Sequence, residues 1–143
     1  MTIENPSILD ENTVVLAGQE DACNLAAVAG TEKNLVSACP TGKIFIPIMV
    51  ILDEFSDDEH ATPPIITLGV AGGDCDEFLG NQTLSNITAA YATEVIILQP
   101  IPAATPVVSV KLTAGEVFAM EITQANGAAL TARVSVMGIY KNA

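Results

Sequence analysis

The sequence predicts an all-β fold, a jelly-roll-like sandwich of about eight antiparallel strands preceded by an extended N-terminal arm. Two observations carry this. The apolar segments are short and rich in Val, Ile and Thr, with Gly, Pro, Asn or Asp between them every ten or so residues. Sustained 3.6-residue periodicity is absent. At 143 residues the chain has the length of one domain. We divide it into an arm at 1–12 and a sandwich at 13–143.

The arm, Met1 to Asn12, combines Pro6 with Ile3, Ile8 and Leu9 and has no pairing pattern of its own. Thr13 to Ala17 is a short first strand. Asp21 to Val28 is alanine-rich and reads as a helix of at most two turns, ended by Gly30. Asn34 to Cys39 is a second short strand. In KIFIPIMVILDEF, the spacing sets Ile44, Ile46, Ile48, Val50 and Leu52 on one side and Phe45, Met49 and Ile51 on the other, a strand apolar on both faces. Pro47 cannot donate to a ladder, so this strand requires a bulge or an edge position there.

PPIITLGVAG, YATEVIILQP, TPVVSVKLTAG, EVFAMEITQ and ALTARVSVMGIY complete the set. In the last, Leu130, Ala132, Val134, Val136 and Gly138 alternate with Thr131, Arg133, Ser135 and Met137, an apolar face against a mostly polar one. Ala114-Gly115 and Asn126-Gly127 are turn signals that make the C-terminal third a three-stranded meander, with a hairpin at Asn126-Gly127.

Composition narrows the function. Half of the residues are hydrophobic and only 15% are charged, so much apolar surface must be covered by small polar residues or by other subunits. No window holds the roughly 18 uninterrupted apolar residues of a bilayer span. A formal net charge of −12 repels a phosphate backbone, which disfavours nucleic acid as a partner. MTIENPSILD has no basic segment followed by an apolar one, so folding in a cytoplasm is expected. Cys23, Cys39 and Cys75 include no C-x-x-C pair and read as small buried hydrophobes, a Cys23–Cys39 bridge being the alternative.

VAGGDCDEFLGNQ, residues 70–82, is the stretch most like a site. It feeds no helix and has no Lys-Ser/Thr pair, which excludes a phosphate loop. Asp74, Asp76 and Glu77 run into Phe78 and Leu79 where an EF-hand needs further oxygen ligands, leaving calcium in another kind of loop as the alternative to a solvated connection plugged by Phe78 and Leu79. The second acidic run, Asp53 to His60, reads as an exposed loop that discourages association. With one histidine and no nucleophile motif, neither a catalytic triad nor a metal centre is expected, and no cofactor. Two tyrosines are too few for an aromatic platform.

The stretch from Ile65, IITLGVAGGDCDEFLGNQTLSNITAAYATEVIILQP, with LTAGEVFAMEIT and the closing TARVSVMGIY, resembles the small all-β virion proteins of tailed bacteriophages. It covers the C-terminal two-thirds as a pattern of strands and turns. The resemblance implies a non-enzymatic structural protein of the virion, a capsid cement or decoration protein that works as a homotrimer on the major capsid protein or another virion protein. It would be assembled in the host cytoplasm. A tail, baseplate or head-fibre component is the alternative, and a ligand-binding jelly-roll module a further one. The expected partner-binding residues are Ile3, Pro6, Ile8 and Leu9 of the arm and Asp74, Asp76, Glu77 and Phe78 of the loop. Trimerisation would multiply weak contacts into firm attachment.

Overall fold

The computed structural model describes residues 13–103 and 110–143. Its strands in chain order are β1 (Val15–Asn24), β2 (Thr31–Asn34), β3 (Lys43–Asp53), β4 (Ile65–Val70), β5 (Leu79–Thr83), β6 (Ile96–Leu98), β7 (Phe118–Gln124) and β8 (Thr131–Asn142). A 3-10 turn at Tyr91–Thr93 precedes β6. The strands form two four-stranded sheets, ordered β1-β8-β3-β6 and β2-β7-β4-β5. The ladders β1–β8, β2–β7, β3–β6 and β4–β5 pair first with last and so inward, as in one long antiparallel ribbon folded at β4–β5. Wrapping that ribbon sets β3 beside β8 and β4 beside β7, which is a jelly roll.

The core lies between the sheets. Phe118 of β7 is its centre, edge-on to Phe78 at 5.5 Å and to Phe45 at 6.4 Å between ring centroids. Tyr140 tilts against Phe45 from β8. Alternation supplies the rest: Phe118, Met120 and Ile122 of β7 point in, as do Ala132, Val134 and Val136 of β8. Cys23, Cys39 and Cys75 are buried free thiols and no bridge joins the first two. Burial, the largest cause, pushes the Cys23 thiol up to about 11 and that of Cys75 to about 12, and raises Cys39.

The structure differs from several sequence expectations, each for a local reason. Asp21 to Val28 is not helical: β1 runs on to Asn24, Ala22 adopts φ 50°, and Leu25 is anchored in the core with its N–H on the Leu130 carbonyl at 2.9 Å. Tertiary burial of Leu25 overrides alanine propensity. β1 starts at Val15 and extends beyond the expected Ala17, and β2 precedes most of Asn34 to Cys39. That run bends inward, Leu35, Val36 and Cys39 donating to the Phe118 and Glu116 carbonyls.

β3 carries the bulge that Pro47 required, between Pro47 and Met49, although it is a central strand. Ile48 is the extra residue, and it reverses the alternation. Phe45, Pro47, Val50 and Leu52 face the core, while Ile44, Ile46, Met49 and Ile51 face outward. The expected division of faces therefore holds only on one side of the bulge at a time.

β7 and β8 lie in opposite sheets, so Asn126-Gly127 is not a hairpin turn and the three-stranded meander does not form. A type I′ turn needs positive φ at both central residues, and neither has it. Instead Asn126 is buried and holds a corner, its Nδ2 donating to the Ala128 carbonyl at 2.9 Å and its Oδ1 accepting from the His60 N–H at 3.4 Å. The His60 ring occupies the space a Cβ at Gly127 would need. The expected strand at 105–115 lies partly outside the described residues, and its end pairs with β3 through a Phe45–Leu112 bridge.

Candidate interaction surfaces

After β4 the chain reverses over the outward side of its own strand. Ala71 donates to the Val117 carbonyl at 2.9 Å, Cys75 turns the chain at φ 49°, and Phe78 donates back to the Leu68 carbonyl at 2.9 Å. Gly69 permits this. A Cβ there would meet the Glu77 carboxylate and the backbone of Cys75 and Asp76. Glu77 Oε2 accepts the Val70 N–H at 2.8 Å, and Cys75 is sealed beneath the loop with its thiol toward the Ala119 carbonyl at 3.4 Å.

This geometry separates the four loop residues expected to meet a partner. Phe78 is fully buried against Phe118 and Glu77 is turned onto the backbone, so both serve the protomer's own fold. Asp74 and Asp76 line a cavity of about 370 Å³ with Thr67 of β4, Asn81 of β5, and Glu121 and Thr123 of β7. The arm residues Ile3, Pro6, Ile8 and Leu9 lie outside the described residues. Thr67, Asn81, Glu121 and Thr123 were not legible as site residues. Their signal, polar residues at alternate positions of apolar strands, marks an outward face but not which strands share it.

The surface around this cavity is acidic. Glu121 sits directly across from Glu32 in the β2–β7 ladder, an arrangement of like charges that a sheet tolerates only at a cost. Glu32 is turned onto the Gly72 N–H at 3.1 Å. After burial, the charges of Glu32, Glu77 and Glu121 are what hold the Cys75 thiol high. Among the described residues no group of three His, Cys, Asp or Glu side chains is placed to share a metal ion.

The second acidic run is more embedded than an exposed loop. Arg133 binds Asp53 with two parallel bonds of 2.9 and 2.7 Å and reaches Glu54 at 2.9 Å, clamping β8 to the end of β3. Phe55 is buried in the core and Glu59 is half-buried, while Asp57, which accepts the Asp58 N–H at 2.9 Å, and Asp58 are exposed.

The outward face of β1-β8-β3-β6 is a different surface. Leu16 and Met49 flank Met137, Ile46 lies beside Ile139, and Ile51 lies beside Ile97. Ile97 is 56% exposed, Val95 beside it and the bulge residue Ile48 add exposed apolar side chains on this side, and Ile101 is exposed next to β5, where it bridges Leu79. A cavity of about 350 Å³ lined by Ile46, Pro47, Ile48, Met49 and Pro100 opens at the bulge.

No protein-family model and no curated protein matches the chain. Solved structures do. A chain of the capsid of Ralstonia phage GP4 superposes with a TM-score of 0.60 at 14% identity, covering 100% of this chain and 92% of its own. A chain of the cyanophage Pam1 capsid asymmetric unit matches with a TM-score of 0.55 at 17% identity, covering 97% and 93%. At such identities the likeness defines the fold, a jelly roll matched over its full length.

Proposed function

We propose that this protein is a structural component of a bacteriophage capsid, a cement or decoration protein that binds the shell as a homotrimer. The observation that carries the reading is the match of the fold to chains of phage capsids over nearly the whole of both partners. The surface supports assembly. On a chain of formal net charge −12, the outward rows of β3 and β8 carry three charges, the Asp53–Arg133 pair at one end and Lys141 at the other, with apolar residues and Ser135 between them. Like-charged copies meet most cheaply where carboxylates are absent, so we place the contact between copies on this face and the adjoining β6 edge. Docking on the shell then falls to the acidic loop side and to the arm.

Electron microscopy of intact particles tests the role: copies at every equivalent lattice position of the shell are expected. A handful of copies on the tail would overturn it. Light scattering on purified protein tests the trimer, and a monomer at micromolar concentration would remove it.

A further inference from the structure

We propose that, in protein free of a shell, residues 1–12 cross the outward face of the protomer's own β1-β8-β3-β6 sheet and seat Ile8 and Leu9 in the cavity at the Pro47 bulge. The seat stands apart from the reading above, and only its release on docking rests on that reading. Three observations carry it, of which the first is a furrow. Val15 pairs with Gly138 and Gly138 with Pro47, so these three stand in one row across β1, β8 and β3. All three turn inward: Val15 packs against the core, a Cβ at Gly138 would meet the Phe45 ring, and Pro47 is buried. On its outward side the row is bare, walled by the pair Met49–Met137 on one side and Ile46–Ile139 on the other. It leads from Val15 to the bulge.

The second observation is reach. The β1–β8 ladder ends at Val15, Thr13 and Val14 are not in strand, and residues 1–12 join the sandwich there, at the head of the furrow. Pro47 lies two strand spacings away, about 10 Å. Leu9 is the sixth residue before Val15 and reaches about 20 Å in extended chain, so Ile8 and Leu9 arrive at the cavity with slack. The cavity suits them, since Gln99 is the one polar residue in a lining of about 350 Å³ that includes Ile46, Met49, Pro100 and Val110. Charge is the third observation. Lys33 and Arg133 bind carboxylates and Lys43 bonds Asn142. The side chains of Lys111 and Lys141 have no hydrogen-bond or ion-pair partner among the described residues, although the chain has 17 acidic residues. Lys111 follows Val110 of the lining, and Lys141 pairs with Ile44, two residues from Ile46. Residues 1–12 carry Glu4, Asp10 and Glu11 and no lysine or arginine, so they bring the charge this corner lacks. The short span selects the protomer's own segment, because a tether of a few residues holds Leu9 near the cavity at about millimolar effective concentration. On a shell the segment must leave this seat before it serves a neighbour.

Disulfide trapping in the full chain tests the seat, since Cys23, Cys39 and Cys75 are buried and Ile48 is the partly exposed bulge residue. The control is Gln19, exposed on β1 and about 13 Å from Val15 in the other direction. Ile8→Cys/Ile48→Cys is expected to close within the chain, independently of protein concentration and at least tenfold faster than Ile8→Cys/Gln19→Cys. No closure, equal rates in the two pairs, or a disulfide between chains overturns the seat. Adding Lys111→Glu/Lys141→Glu should slow closure at least threefold at low ionic strength, and an unchanged rate overturns the charge match that assigns the segment to this cavity. Attachment to empty shells is then measured with the disulfide closed and after reduction. Closed protein is expected to attach at least tenfold more slowly, and equal attachment overturns release on docking while leaving the seat. Failure of the wild type to attach to any shell sinks the decoration reading, and the trapping rates still decide the seat.

Discussion

Gly69 fixes where the acidic loop lies, because the loop can fold onto β4 only where the strand presents no side chain outward. Gly69→Ala would push the Glu77 carboxylate off the Val70 N–H and collide with backbone at Cys75 and Asp76. We expect a loss of about 1–3 kcal/mol in urea unfolding, together with faster reaction of Cys75 with a thiol reagent under native conditions. Unchanged stability with Cys75 still shielded would show that the loop is not seated as described. The buried thiols also make stability depend on pH. Cys23, Cys75 and Tyr140 all titrate higher folded than unfolded, near 11, 12 and 12 against 9, 9 and 10, with burial the first cause. Above about pH 9 the unfolded chain therefore binds fewer protons than the folded one, and stability falls. It should be flat with respect to these groups below that pH and decline through pH 11, as urea midpoints at stepped pH would record. Cys75→Ala should make the decline shallower. At this scale the sequence was partly readable. The burial of the cysteines followed from their spacing and the absence of partners, and Gly72-Gly73-Asp74 announced a turn, but the parting of Asp76 from Glu77 depended on how the chain returns over β4 through Cys75, which composition does not set.

Strand β3 shows how one proline propagates along an element. Pro47 forces the ladder to break, the break inserts Ile48, and the insertion reverses which side chains meet the core. Ile48 itself is 38% exposed and contributes little to packing, so Ile48→Ser should alter stability by no more than about 0.5 kcal/mol. Deleting Ile48 is a different matter. Without the extra residue, either Phe45 and Pro47 or Val50 and Leu52 must turn outward, and Phe45 would leave the rings of Phe118 and Tyr140. We expect the deletion to abolish cooperative unfolding of the soluble protein, and a normal thermal transition would contradict the register. The bulge was legible because proline's missing N–H is a local fact. Its consequence for the faces was not, because parity on either side of a bulge depends on which residue is the extra one. The Asn126-Gly127 segment failed in the opposite way. Its composition is that of a hairpin, yet β7 and β8 are drawn to different sheets, and the buried amide of Asn126 serves the corner between them.

At the scale of the whole molecule, strand count and all-β class were readable, whereas sheet order was not, because in a jelly roll the neighbours of a strand are distant in sequence and only the wrapped ribbon brings Asp53 to Arg133 or Thr67 to Glu121. The same wrapping gives the sandwich two unlike outer faces, one with long apolar rows on β3 and β8 between charged ends, the other acidic around β2 and β7, and the proposed contact between copies and docking on a shell are assigned to these two sides. Ile97→Asp on the exposed β6 edge should weaken the trimer in light scattering without unfolding the protomer, since Ile97 is outside the core. A trimer unaffected by it would move the contact elsewhere. The arm supplies the final prediction. Ile3, Ile8 and Leu9 precede β1, whose first residue pairs with Gly138 of β8. Three apolar side chains laid into grooves of a neighbour could contribute roughly 1.5–3 kcal/mol each before the cost of ordering the segment, and a trimer presents three such arms at once, so even a modest loss per arm multiplies. Deleting Thr2 to Asp10 is therefore expected to leave folding and trimerisation close to wild type while lowering occupancy on shells and speeding release. Truncated protein that decorates at full occupancy and dissociates no faster would leave the acidic face as the docking surface, and in that case an Asp76→Asn/Glu121→Gln variant should show the larger loss.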